Sequence, residues 1–196
     1  CAKGHANILT GGDMHHAKPS MPFLKDVDVF CTNAIHEDPE LHKKVREAGV
    51  QFWQYSGCNN QSPAHQSRFA FGFFFGAYEA EGFLIWAYNA CGRFDTSSSK
   101  GWGYGWYTPF GTITSPAYEG SREGMDDRRL IETCRRRFQG HPEAQAMLIA
   151  TLKEAVESRA KGGTDTISDF YNSPKEADKL DLWRNRLLDA LLKIEE

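Results

Sequence analysis

The chain has 196 residues, 40% hydrophobic and 13% aromatic, with a formal net charge of −3, a globular composition with room for one core or for a core and an appendage. So small a charge supplies no general attraction to nucleic acid, and no apolar run approaches the roughly 20 residues of a membrane helix. The start has no signal-peptide layout; a chain opening on Cys1, with almost no lead-in before strand-like sequence, reads as a processed protein or an excised piece of a longer one. The expected partners therefore include neither nucleic acid nor membrane, and the compartment stays open.

In chain order, Ala6–Gly12 reads as a first strand ending in a Gly-Gly turn with Asp13 at its tip, and Val27–Asn33 as a second. Asp38, Pro39 and Glu40 are an N-cap, a first-position proline and an acidic first turn, predicting a helix that Gly49 ends. Val50–Ser56 is the third predicted strand. Gln66–Ala80 is a predicted helix carrying Phe69, Phe71, Phe73, Phe74, Phe75 and Tyr78, an aromatic content that implies burial on most of its surface. The fourth predicted strand, Gly82–Asn89, is a nearly continuous apolar run (Phe83, Leu84, Ile85, Trp86) closing on a polar residue, which suits a parallel strand covered on both faces.

Strand starts recur at about residues 6, 27, 50 and 82 with one helix in each gap, the rhythm of right-handed βα units and a parallel sheet. Four such units are half of a (β/α)₈ barrel of the TIM type, and the fold predicted is the C-terminal half of one, with a helical extension. The flavodoxin-like alternative wants a phosphate-type glycine loop after its first strand, and Gly11-Gly12 alone is a weak signal for that. The expected division is 1–124 for the half barrel and 125–196 for the extension packed on it.

From Cys91 to Pro116 the pattern is that of a long loop, centred on an aromatic-glycine run, Gly101–Phe110. Helices are predicted beyond it: Met125–Phe138 (apolar at Leu130, Ile131, Cys134, Phe138), Pro142–Ala160, and a last one opened by the capping box Ser173-Pro174-Lys175-Glu176. Leu180, Trp183, Leu187, Leu191 and Ile194 share one side of that last helix, and Gly162–Asn172 reads as a polar linker.

Two groups of residues could carry function. In the loop, Trp102, Tyr104, Trp106 and Tyr107 alternate with glycines; such rings offer flat apolar faces with polar tips, suited to the C–H faces and hydroxyl edges of a pyranose. They serve equally as a lid over a barrel end, and one role does not exclude the other. At the ends of the predicted strands stand Asp13, Asn33, Tyr55, Trp86 and Asn89, which supply the sparse polar groups of a ligand pocket or cap the turns that follow.

The remaining candidates have plainer readings. Five widely spread cysteines (Cys1, Cys31, Cys58, Cys91, Cys134) form no C-x-x-C pair, so buried free thiols are expected and neither a zinc site nor a nucleophile. His15-His16 diverge on any regular element, so no metal is predicted, and no cofactor motif is present. Glu37-Asp38 reads as helix capping, and Arg135-Arg136-Arg137 as the basic end of a helix with Asp126-Asp127 in its first turn.

Three segments together resemble the C-terminal part of the catalytic barrel of glycoside hydrolase family 123 and its relatives. They are Val27–Asn33 with Val50–Ser56; Arg68 followed by Tyr78 and Gly82-Phe83-Leu84-Ile85-Trp86-Ala87-Tyr88-Asn89; and Arg122-Glu123-Gly124-Met125-Asp126-Asp127, a span of roughly 6 to 138. The resemblance implies a β-N-acetylgalactosaminidase in which the substrate's 2-acetamido group is the nucleophile and an adjacent Asp-Glu pair works on it, Glu as general acid and Asp orienting the acetamido group. This chain contains no Asp-Glu dipeptide. No catalytic residue is therefore assigned; the pair is expected upstream, and these residues are expected to form the sugar-binding wall of an amino-sugar glycosidase. The alternative is a non-catalytic carbohydrate-binding or assembly module. Arg68, Arg122 and Asp127 are expected to be structural, with Asp127 in a first helical turn and Arg122 bonding back to strand-end or helix-terminal groups. Four strands cannot close a barrel, and Phe52, Trp53 and Phe83 or Leu84 are expected on its open inner face, so the isolated chain should form an oligomer or dissolve poorly unless the missing half is supplied.

Overall fold

Short runs of β-branched and aromatic residues at 29–33 and 51–55, separated by a helix that ends on glycine, lay down parallel strands. The computed structural model describes residues 8–11, 21–33, 39–56, 63–85, 105–160 and 174–195. The protein is a mixed α/β molecule, mostly helical, whose sheet is small and parallel. It divides into two compact units, one of residues 1–57 with 78–86 and the other of 58–77 with 87–196.

The first unit contains β1 (Ile8–Gly11), a 3₁₀ turn (Met21–Asp26), β2 (Val29–Asn33), α1 (Pro39–Glu47), β3 (Gln51–Ser56) and β4 (Gly82–Ile85). The strands lie side by side in the order β1-β2-β3-β4, all parallel. Phe30 is in register with Phe52, Cys31 with Trp53, and Trp53 with Gly82. Phe30 and Phe52 pack with Leu41 and Val45 of α1, with Leu24 from the 3₁₀ turn, and with Val50 and Ala80, forming this unit's core. The buried ring of His42, one residue along α1 from Leu41, stands 4.1 Å from that of Phe52 and 5.0 Å from that of Tyr78.

Gly49 ends α1 as predicted. At φ +72° it lets its own N–H reach the Arg46 carbonyl while Val50 N–H reaches that of Val45, the paired bonds of a Schellman cap. Before β4, the Glu81 carboxylate accepts the Phe52 N–H at 2.7 Å, and Glu81 N–H donates to the Phe52 carbonyl, fixing where the fourth strand begins.

One expectation for this sheet is corrected. The expectation puts Phe52 and Trp53 on one open face, but neighbouring strand residues point to opposite faces. Phe52 is buried in the core cluster, whereas the indole of Trp53 lies across Gly82, where a Cβ would come within 2.5 Å of the ring. The sheet faces are thus decided by register.

The second unit contains α2 (64–77), the antiparallel hairpin β5 (Gly105–Thr108) and β6 (Gly111–Thr114), α3 (Pro116–Arg137), α4 (Pro142–Ala160) and α5 (Pro174–Glu195). In α2, α-helical turns at Ala64–Phe69 and Phe75–Ala77 flank a π-turn at Ala70–Phe74, and Phe69, Phe71, Phe73, Phe74 and Phe75 are all buried. The wider π-turn spreads these rings further round the helix than a regular α-helix would. Trp183 of α5 is also fully buried, its ring 5.2 Å from that of Phe73 and 6.3 Å from that of Phe69.

Two expectations are corrected here. Residues 105–114 of the predicted loop form a hairpin, and the helix predicted from Met125 begins at Pro116. Ser115 is its N-cap, the hydroxyl accepting the Tyr118 N–H at 3.1 Å, with Pro116 in the first helical position. The predicted helices at Pro142–Ala160 and from Pro174 stand as α4 and α5. Ser173 and the linker at 162–172 lie outside the described residues.

Cys31, in the middle of β2, and Cys134, in α3, are free and buried, and burial pushes both thiols up to about 11. Cys1, Cys58 and Cys91 lie outside the described residues. At pH 8, Cys31 and Cys134 should label with iodoacetamide at least about tenfold more slowly in the folded chain than in denaturant, since the thiolate is the reacting species. Peptide-resolved mass spectrometry reads this, and equal labelling in both states would place these thiols at the surface.

Candidate functional site

Parallel register carries two of the predicted binding residues to one place. Asn33 ends β2 and Tyr55 stands one residue before the end of β3, and the two are direct partners across the strands. On β4 the position opposite Tyr55 is Leu84, whose side chain is exposed. Asp13, Trp86, Asn89 and Trp102 lie outside the described residues, as do His15-His16 and Glu37-Asp38. Trp106 and Tyr107 fall in the other unit, at successive positions of β5 opposite Ile113 and Thr112 of β6.

The residues expected to be structural separate into two kinds. Asp127 and Arg68 meet in a buried ion cluster. The Asp127 side chain is 0% exposed and lies in the middle of α3, not in a first turn. Arg68 of α2 donates Nε–H to its Oδ2 at 2.7 Å and, through Nη1, to Asp181 of α5 at 2.7 Å. Arg184 of α5 donates Nε–H to Asp127 Oδ1 at 2.5 Å and approaches the Glu123 carboxylate and carbonyl at 3.4 Å. One carboxylate on α3 thereby ties α2 and α5 together. Burial pushes the Asp127 carboxyl up from its ordinary range, while Arg68 and Arg184 pull it back down. Burial alone would lower the Arg68 guanidinium, but the hydrogen bonds and charges of Asp127 and Asp181 hold it above its ordinary value.

Arg122 is of the other kind. It is 61% exposed and pairs at 3.0 Å with Glu119 in the first turn of its own helix, so the pair stands in solvent. The contacts that join one helix to another are made by Arg184 and by Arg135, whose Nη2 donates to the Gly76 carbonyl near the end of α2. Sequence reasoning passed over Arg184. Its only local signal is a cation beside an apolar Trp183, and its partner lies 57 positions away.

Beside this cluster the N-terminal parts of α2, α3 and α5 enclose an open cleft of about 320 Å³, with Ala64, His65 and Arg68 on one side and Glu119, Glu123, Asp178 and Asp181 on the others. Among its carboxylates Glu119 stands in the first turn of α3, where backbone N–H groups favour negative charge. Glu119, Glu123 and Asp181 are already paired with Arg122, Arg184 and Arg68. The cleft is therefore a joint between helices in which these three carboxylates are held by arginine, with Asp178 also on its lining. Among the described residues no group of three or more His, Cys, Asp or Glu side chains stands together as a metal site, and no helix is long and apolar enough to cross a membrane.

The hairpin leaves its surface open. All four residues of β6 are exposed, as are Pro109 and Phe110 in the turn. Thr114 donates its hydroxyl to Glu119 at 3.0 Å, tying the hairpin base to the start of α3. No family model matches this sequence, and no curated protein aligns with it.

Proposed function

We propose that this chain is the C-terminal half of a carbohydrate-active (β/α)₈ barrel, forming the sugar-binding wall of an amino-sugar glycosidase whose Asp-Glu pair lies upstream of these residues. The observation that carries this reading is the strand order. A barrel wall lays consecutive βα strands side by side in sequence order, whereas a doubly wound sheet reverses direction beside its first strand. The order β1-β2-β3-β4 follows the first pattern. In such a sheet the reacting face lies at the carboxyl ends of the strands, where Asn33 and Tyr55 are neighbours. Resemblance to glycoside hydrolase family 123 supplies the substrate class, a glycan ending in an N-acetylated amino sugar. The missing half barrel comes from the same longer chain or from a second copy.

Calorimetric titration with a tetrasaccharide ending in β-N-acetylgalactosamine tests the reading. Trp106→Ala should weaken binding about fivefold, the scale of one aromatic stacking contact. A chromogenic β-N-acetylgalactosaminide should not be turned over by these 196 residues alone. Absence of binding by the unaltered chain at millimolar sugar would sink the proposal. The absence of an Asp-Glu dipeptide also favours a second reading, a non-catalytic binding or assembly module. Joining the preceding coding sequence separates the two, since activity gained with added βα units belongs to the enzyme alone.

A further inference from the structure

The turn of the hairpin is built to hold one ring in water. The Thr108 hydroxyl donates to the Gly111 carbonyl at 2.7 Å and accepts the Phe110 N–H at 3.2 Å, so one side chain pins both ends of the turn. Gly111 completes it at φ +131°, a conformation closed to other residues at small strain. Phe110 between them is 100% exposed. An apolar ring of this size, presented by an ordered turn, is preorganised for contact, because little freedom remains to be lost on binding.

Charge narrows what the contact is with. From Gly101 to Tyr118 the chain carries no charged residue. Exposed edge strands are ordinarily protected by lysine or by other charge, and β6 has neither, although no other strand pairs with its outer edge among the described residues. A nucleic acid or an anionic membrane would be met by cations. An exposed ring beside threonine hydroxyls and open backbone groups, with no net field, suits a neutral polyhydroxylated chain.

We infer that Phe110 is a second stacking subsite, so that the ligand is a neutral oligosaccharide chain and not a single terminal sugar. The inference rests on the sugar-binding reading above and extends it. Trp106 stands about 10 Å back along the strand from the turn at 3.3 Å per residue, farther than one pyranose ring reaches. A ligand touching both positions spans more than one sugar unit along the ribbon.

The test compares free N-acetylgalactosamine with the tetrasaccharide, using the full chain and Phe110→Ala. Because Phe110 touches no core, its removal should leave the melt unchanged. The tetrasaccharide should lose about fivefold in affinity while the monosaccharide keeps its own, and Phe110→Trp should retain both. Equal affinity of Phe110→Ala and the unaltered chain for the tetrasaccharide overturns the subsite while leaving the sugar-binding reading intact. Equal losses for both sugars also overturn it. Failure of the unaltered chain to bind either sugar removes both readings together. If Phe110→Ala instead converts an unliganded dimer to monomer in sedimentation, with sugar affinity unaltered, the hairpin tip is a contact between copies and the subsite is wrong.

Discussion

Gly120→Ala is expected to destabilise the helical unit by about 3 kcal/mol or more, lowering its thermal midpoint by roughly 10 °C. A Cβ there would stand 2.6 Å from the Ala64 carbonyl carbon, 2.8 Å from its Cα and closer still to its oxygen. These are backbone atoms, so no side chain can rotate aside; α2 and α3 must move apart. One turn on, a Cβ at Gly124 would lie 2.6 Å from the Arg68 carbonyl oxygen, and one at Gly72 would lie 2.9 Å from Asp127 Cβ. Glycines on both helices thus set the distance at which Arg68 meets Asp127. Gly140→Ala is the control. That glycine has open space around it and φ +84°, so it should lose only the roughly 1 kcal/mol of a strained turn. Equal melts for Gly120→Ala and the unaltered chain would show that the two helices do not approach this closely.

Asp127→Ala is expected to lower stability by about 3–5 kcal/mol, the usual penalty for stranding a buried charge. The side chains of Arg68 and Arg184 are 14% and 27% exposed, so solvent screens the loss only partly, although Asp181 and Glu123 remain beside them. Arg184→Ala should be partly redundant with it: in a double-mutant cycle the pair should show a coupling of roughly 0.5–3 kcal/mol. Arg122→Ala, in contrast, should leave the melt unchanged, since its guanidinium meets only Glu119 in open solvent. Urea titration of the four variants reads all of this. A large loss at Arg122 with none at Asp127 would reverse the assignment.

Much of the architecture was legible because its signals are local. Pro39 and Gly49 bracket α1, and Pro174 opens α5. The positions of all four strands follow from runs of β-branched and aromatic residues a few residues long. The hairpin was not legible, because Gly105–Thr114 has no regular polar–apolar alternation and turns through Pro109-Phe110 instead of an Asn-Gly pair. The first nine residues of α3 were not legible because Gly120 and Gly124 weaken the helical signal there.

By itself the sequence determined where chain segments become strands or helices, that the strands run parallel, and that the aromatic helix is buried. Each follows from residues within one turn or a few strand positions of one another. Tertiary structure alone decided which strand faces pack inward, why α2 and α3 need glycines, and which arginines are structural. The register of β3 puts Phe52 in the core and Trp53 over Gly82, and a shift of one residue would exchange them. Arg122 and Arg184 are alike as residues; one is a surface ion pair and the other holds a buried carboxylate 57 positions away. Burial and partners at that range belong to the packed molecule, because they depend on distances that only folding brings about.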